Sequence, residues 1–120
     1  MKSDHLYNDF DSVVTFDHDV KAINNAIKNI LFTSVGSLPG KPDFGSRISE
    51  LVFSQMDYIT ENMLKRLIIE ALSKWETRII MVNVELESVQ EFNRILATIT
   101  YRLKDDILNN TTSISLNLIS

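Results

Sequence analysis

The sequence predicts an α+β fold in which N-terminal helices pack on a C-terminal, three-stranded, mainly antiparallel sheet. Three observations carry this prediction. Leu64, Leu67, Ile68, Ala71, Leu72 and Trp75 recur at i, i+3, i+4 and i+7, the stripe of a helix with one buried side. A few residues later Ile80, Val82, Val84 and Leu86 alternate with mostly polar residues, the period of a half-buried strand. Two further alternating segments follow, so helices come first and a sheet last, and the connections favour an antiparallel meander.

In chain order, residues 1–16 mix acids with Leu6, Tyr7, Phe10, Val13, Val14 and Phe16 without a clean period, which suggests an arm docked by aromatic anchors. Asp17 reads as an N-cap and Asp19 as a first-turn acid at the positive end of the helix dipole. Val20, Ile23, Ile27, Ile30 and Leu31 form the stripe of a first helix ending near Phe32. All three glycines and both prolines of the chain then fall between Gly36 and Gly45. Glycine allows positive φ and proline fixes its own, so this segment should be a stiff, shaped loop. It has neither the lysine spacing nor the preceding strand of a phosphate-binding loop. It either folds back to bury Phe44 or presents Phe44 and Lys41 to a partner. A short helix is expected next, capped by Ser46, with Ile48, Leu51, Val52 and Met56 on its apolar side. Thr60 is expected to cap the long helix, with Glu61 in its first turn and Lys74 near its end.

The strands are expected over 79–89, 95–103 and 113–119. Ile95, Ala97, Ile99, Tyr101 and Leu103 share one face of the second. In the third, Ile114, Leu116 and Leu118 share one face, and Ser113, Ser115 and Asn117 the other. From Ile107 to Ser120 there is no charged residue. Edge strands are ordinarily guarded by charge or proline, so this strand is either internal or suited to pairing with another chain.

The 120 residues fit one domain over 1–120, with an arm (1–16), helices and loop (17–75) and sheet (79–120). The apolar fraction of 44% is that of an ordinary globular chain, and a net charge of −4 gives no basic face for nucleic acid. There is no cysteine, which excludes disulfides and thiolate chemistry. The polar start lacks a signal-peptide core and no apolar run has membrane-span length, so a soluble cytoplasmic protein is expected. The two histidines, His5 and His18, lie beside acids, but Asp17-His18-Asp19 points its side chains apart and has no second cluster to complete a metal site. No nucleophile elbow occurs. Glu70 and Glu76 are the nominal carboxyl pair for glycoside hydrolysis, and nothing around either marks an apolar pocket.

Glu76 is oddly placed, because a helix end exposes carbonyls and prefers a cation. Arg78 can supply that cation and a planar fork for a carboxylate. On the residues alone, the pair reads as solvated and weakly coupled.

Leu6-Tyr7-Asn8-Asp9, the run from Thr33 to Pro39, Pro42-Asp43-Phe44-Gly45 and Trp75-Glu76-Thr77-Arg78-Ile79 together resemble the contractile-tail baseplate wedge family of T-even phages and type VI secretion baseplates. The family motif Glu-Pro-Arg stands here as Glu76-Thr77-Arg78, which keeps the charged pair without the proline. The resemblance implies a structural sheath initiator with no cofactor, in the virion tail baseplate near the tail tube, assembled in the host cytoplasm. It implies that Glu76 and Arg78 contact the other wedge proteins, so that losing Arg78 harms assembly rather than stability. It further implies that Ser113, Ser115, Asn117 and Ile119 belong to a strand that pairs with the tail sheath subunit. Neither nucleic acid nor membrane is expected as a partner. The family has also carried a lysozyme label, which makes a small cell-wall hydrolase the alternative.

Overall fold

The computed structural model describes residues 19–51, 57–89 and 94–119. The expected arm over 1–16, the Asp17 cap with His18, and Val52 and Met56 lie outside the described residues. Helix α1 covers residues 19–32 and α2 covers Tyr58–Trp75. The strands are β1 (Ile79–Val89), β2 (Arg94–Leu103) and β3 (Thr111–Ile119). They form an open antiparallel sheet in the order β1-β2-β3, so the fold is α+β with helices preceding a three-stranded meander, as the periodicities predict.

The core lies between the helices and one face of the sheet. Ile23, Ile27, Ile30 and Leu31 from α1 and Leu64, Ile68, Ala71 and Leu72 from α2 meet the expected inward residues of β2 and β3. Burying each Ile or Leu among these stabilises the fold by about 1.5–3 kcal/mol before entropy is subtracted. Tyr101 is fully buried in the central strand, and its hydroxyl donates to Asn24 Oδ1 at 2.5 Å. That bond ties α1 to the sheet and satisfies a polar group that would be costly to bury alone.

The alternation in β1 is not the expected one. Ile79 is buried and Met81 half-buried, whereas Ile80 and Val82 are exposed; beyond this point Val84 is buried and Leu86 half-buried. The cause is a β-bulge between Met81 and Asn83, where Val82 has no opposite residue on β2. One extra residue flips the faces, so the inward parity changes from odd to even.

Two helix starts also differ. The N-cap of α2 is Asp57, whose carboxylate accepts from the Thr60 amide at 2.7 Å, so Thr60 is capped rather than capping. The short helix is only a 3-10 turn, Ile48–Glu50, and its N-cap Arg47 makes no side-chain cap bond. Ser46 works backwards instead: its buried hydroxyl donates to the Leu31 carbonyl at 2.9 Å, satisfying an orphan acceptor at the end of α1.

The Gly/Pro loop closes on itself there. Ser46 N donates to Thr33 O at 2.9 Å and Val35 N to Ser46 O at 3.1 Å, a parallel bridge pairing Ser34 with Ser46. Gly45 has φ +114°, and a Cβ on it would collide with the Thr33 carbonyl oxygen. Gly36 also has positive φ (+91°), but in open space. Gly36→Ala is therefore expected to cost roughly 1 kcal/mol through backbone strain alone. Gly45→Ala adds a backbone clash and should cost on the order of 3 kcal/mol or more. Urea denaturation of the two variants checks the order; equal stabilities would contradict the close approach.

Candidate functional site

The helix-to-strand junction between α2 and β1 is built around a buried carboxylate. Glu76 is the C-cap residue, and its amide donates to Leu72 O at 2.8 Å, ending the helix. Its residue exposure is 3%, although it is charged and sits where helix carbonyls point. Arg78 makes this tolerable. Its Nε donates to Oε1 and its Nη2 to Oε2, both at 2.7 Å, and its backbone N–H donates to Oε1 at 3.2 Å. The expectation of a solvated, weakly coupled pair is thus corrected: the acid is buried, and only the guanidinium side chain, 54% exposed, meets water. Burial pushes the Glu76 carboxyl up, but the bonds and charge of Arg78 overcome this and hold it below its ordinary range. The same side-chain hydrogen bonds raise Arg78 against the opposing effect of its own burial, with smaller help from the charges of Glu76 and Asp19. Burial and then the Glu76 charge push the Tyr101 phenol up to about 12, so it remains a neutral donor to Asn24.

The loop reaches this junction through Phe44. Its ring meets Trp75 edge-on, with centroids 5.0 Å apart and planes at 64°. Phe44 is half-buried, so of the two readings the folded-back loop is the observed one, while Lys41 lies 5.8 Å above the Phe44 ring. Between the loop and α2 is a shallow cleft of about 150 Å³ bordered by Asp43, Arg47, Glu70 and Lys74. Glu76 borders a different hollow, shared with Ile80 and Lys104. The two nominal catalytic carboxyls therefore do not face one another across one cleft. Among the described residues no group of three or more His, Asp or Glu is placed to hold a metal.

At the far side of the sheet, β3 pairs with β2 alone among the described residues. Ile114, Leu116 and Leu118 are buried and Ser113, Ser115 and Asn117 exposed, as expected; Ile119 pairs with Arg94 at the strand end. The outer face carries hydroxyl contacts that the sequence reading missed, Thr98 with Ser115 at 3.3 Å and Thr100 with Ser113 at 3.0 Å. Alternating Thr and Ser on neighbouring strands was the available signal.

The family model for baseplate wedge protein gp25 matches residues 17–107, and the chain belongs to that family. It is 27% identical over 109 residues to baseplate wedge protein gp25 of Enterobacteria phage T4, across 84% of this chain and 83% of the T4 protein. A crystal structure from Geobacter sulfurreducens bearing a provisional tail-lysozyme label is similar at TM-score 0.76 and 28% identity, over 84% of this chain and 90% of that one. A chain in the type VI secretion baseplate complex shares the fold at TM-score 0.65 and 20% identity, over 87% of this chain and 97% of that one. A chain of the contracted pyocin R2 baseplate does so at 0.54 and 16%, over 83% and 84%.

Burial of Glu76 changes what losing Arg78 should do. Arg78→Ala leaves a buried carboxylate with few partners, and is expected to cost about 1–3 kcal/mol at neutral pH, moderated by water reaching the exposed side. Because folding lowers the pKa of Glu76 from its ordinary 4.5, its contribution is present above about 4.5 and lost as pH falls through the folded value. The gap between wild type and Arg78→Ala should therefore narrow in acid. Denaturant titrations at pH 7 and below pH 4 measure it, and an Arg78→Ala protein as stable as wild type at pH 7 would contradict the clamp.

Proposed function

We propose that this chain is a structural component of the baseplate of a contractile tail or related injection device, that it contacts the other wedge proteins, and that it starts sheath assembly by accepting a strand at β3. The observation that carries this reading is the uncharged outer edge of β3, which pairs with β2 alone among the described residues and whose apolar side is already anchored in the core. Backbone donors and acceptors on that edge suit a strand from the tail sheath subunit. Family membership supports the setting, a virion baseplate around the tail tube, assembled in the host cytoplasm. Glu76 and Arg78 act at the wedge contact: the carboxylate fixes the guanidinium, and the exposed remainder of the fork is left for a partner acceptor.

The chain is not an enzyme in this reading. A glycosidase acid needs a raised pKa, and Glu76 is held low by Arg78. The tail-lysozyme label of the Geobacter structure is the reason to test the alternative. Purified protein should not clear peptidoglycan, and clearing that is abolished by Glu70→Gln or Glu76→Gln would overturn the structural role.

Strand addition has its own test. Lys at Ser115 and Asn117 charges the exposed face of β3 and leaves Ile114, Leu116 and Leu118 in place. The double variant should fold, enter baseplates and fail to start sheath polymerisation. Sheaths growing normally from such baseplates would sink the idea.

A further inference from the structure

The nine residues of β3, Thr111–Ile119, are complementary to a second copy of themselves. Ser115 is the central residue, so an antiparallel copy placed by a two-fold axis there overlaps the whole strand. Ser115 then faces Ser115 of the copy, Ile114 faces Leu116, Ser113 faces Asn117, Thr112 faces Leu118 and Thr111 faces Ile119. This register keeps the two sides of the sheet apart. The buried Ile114, Leu116 and Leu118 stay on the helix side of the continued sheet, and the exposed Ser113, Ser115 and Asn117 on the other. A shift of one residue sets Ile114 or Leu116 beside Ser115. A shift of two keeps the sides but leaves Thr111 and Thr112, or Leu118 and Ile119, without an opposite residue.

No charge opposes this pairing. There is no Asp, Glu, Lys or Arg from Ile107 to Ser120. The nearest charges lie one strand back, Arg94 opposite Ile119 and Arg102 opposite Thr111. Arg94 of one copy and Arg102 of the other reach the same end of the seam, but three strand spacings separate them. That is roughly 14 Å, beyond the screening length of about 8 Å. Arg102 is turned to Asn109 Oδ1 at 2.6 Å, and Lys104, Asp105 and Asp106 bring charges of both signs to that end. The sheet's acids, Glu85 and Glu87, sit on β1 at the opposite edge, where Val82 also interrupts the ladder. Once two copies have joined through β3, those guarded β1 edges are the outer ones among the described residues. The pairing therefore closes at two copies.

We propose that two copies of this chain pair through β3, antiparallel and two-fold about Ser115, as a closed dimer that covers the receptive edge before assembly. One edge holds one strand, so this dimer and the addition of a sheath strand exclude each other, and the copy must leave before a sheath begins. The inference rests on the reading of β3 as a receptive edge and supplies the occupant of that edge before assembly.

Analytical ultracentrifugation of the purified chain is the first test. It should sediment at twice its mass of 13.7 kDa and dissociate on dilution. S115K and S115D each set like charges opposite one another at the axis, and each should weaken the dimer about tenfold or more. An equimolar mixture of these two variants sets opposite charges there and should restore it. The chain has no cysteine, so S115C reports the register directly. Opposed residues of an antiparallel pair have Cα atoms about 4.5–5.5 Å apart, within disulfide reach, and mild oxidation should give a covalent dimer. E85C, on the guarded edge, should stay uncross-linked under the same oxidation. A wild-type chain that is monomeric from micromolar to millimolar concentration, or that forms open-ended aggregates, would overturn the inference. So would a dimer indifferent to S115K and S115D, a mixture that does not restore it, or equal cross-linking of S115C and E85C. If a charged variant loses its fold by circular dichroism, the two cysteine variants decide. A monomeric wild type leaves strand addition standing, because sheath growth tests that separately, and normal sheaths from S115K/N117K leave the dimer standing.

Discussion

The structure depends on one buried charge and the fork that holds it. Glu76 ends α2 and starts the bend into β1, at a helix terminus whose carbonyls repel an anion. Three hydrogen bonds from Arg78 outweigh that repulsion and the loss of water. One of the three comes from the Arg78 backbone, so the carboxylate also fixes the direction in which the chain leaves the helix. The bend therefore forms with Thr77 at its centre, without the fixed φ of a proline. Anchoring by a carboxylate instead of a ring leaves the geometry dependent on ionisation.

Around this clamp, backbone constraints bring distant segments together. Gly45 permits the close crossing of the loop over Thr33, and Ser46 closes the end of α1. That crossing carries Phe44 onto Trp75, the last residue of α2, one position before the clamp. Tyr101 reaches the same region from β2 and is bound by Asn24 of α1. The loop, both helices and the central strand thus converge on the helix-to-strand junction.

Much of this was legible from periodicity. The α2 stripe and the inward faces of β2 and β3 follow from spacing, because each has one apolar side and one polar side. The first half of β1 is not legible from spacing, because residues 79–82 are all apolar, so both parities fit and only the bulge decides. The α2 cap is ambiguous in the sequence because Asp57 and Thr60 are both capping types three residues apart, and local sequence does not rank them. Burial of Glu76 could not be read locally at all. It depends on segments far away in sequence, such as the Lys104 region that borders the same hollow, and its charge is felt as far as Tyr101.

The two edges of the sheet are physically unlike, and the difference bears on how such a chain can associate. β1 carries exposed Glu85 and Glu87, with Asn83 donating to Glu85 at 3.0 Å, and its ladder is interrupted at Val82. Negative charge and a bulge both discourage another strand from docking in register. β3 has neither device: its residues from Thr111 to Ile119 include no charge, and its pairing with β2 runs without a shift. An open sheet with one guarded and one unguarded edge favours addition on a single side. That asymmetry limits runaway pairing, because a strand added to β3 of one copy finds no equally receptive edge on β1 of the next. Among the described residues the sheet therefore has one edge, not two, that is chemically receptive to a further strand.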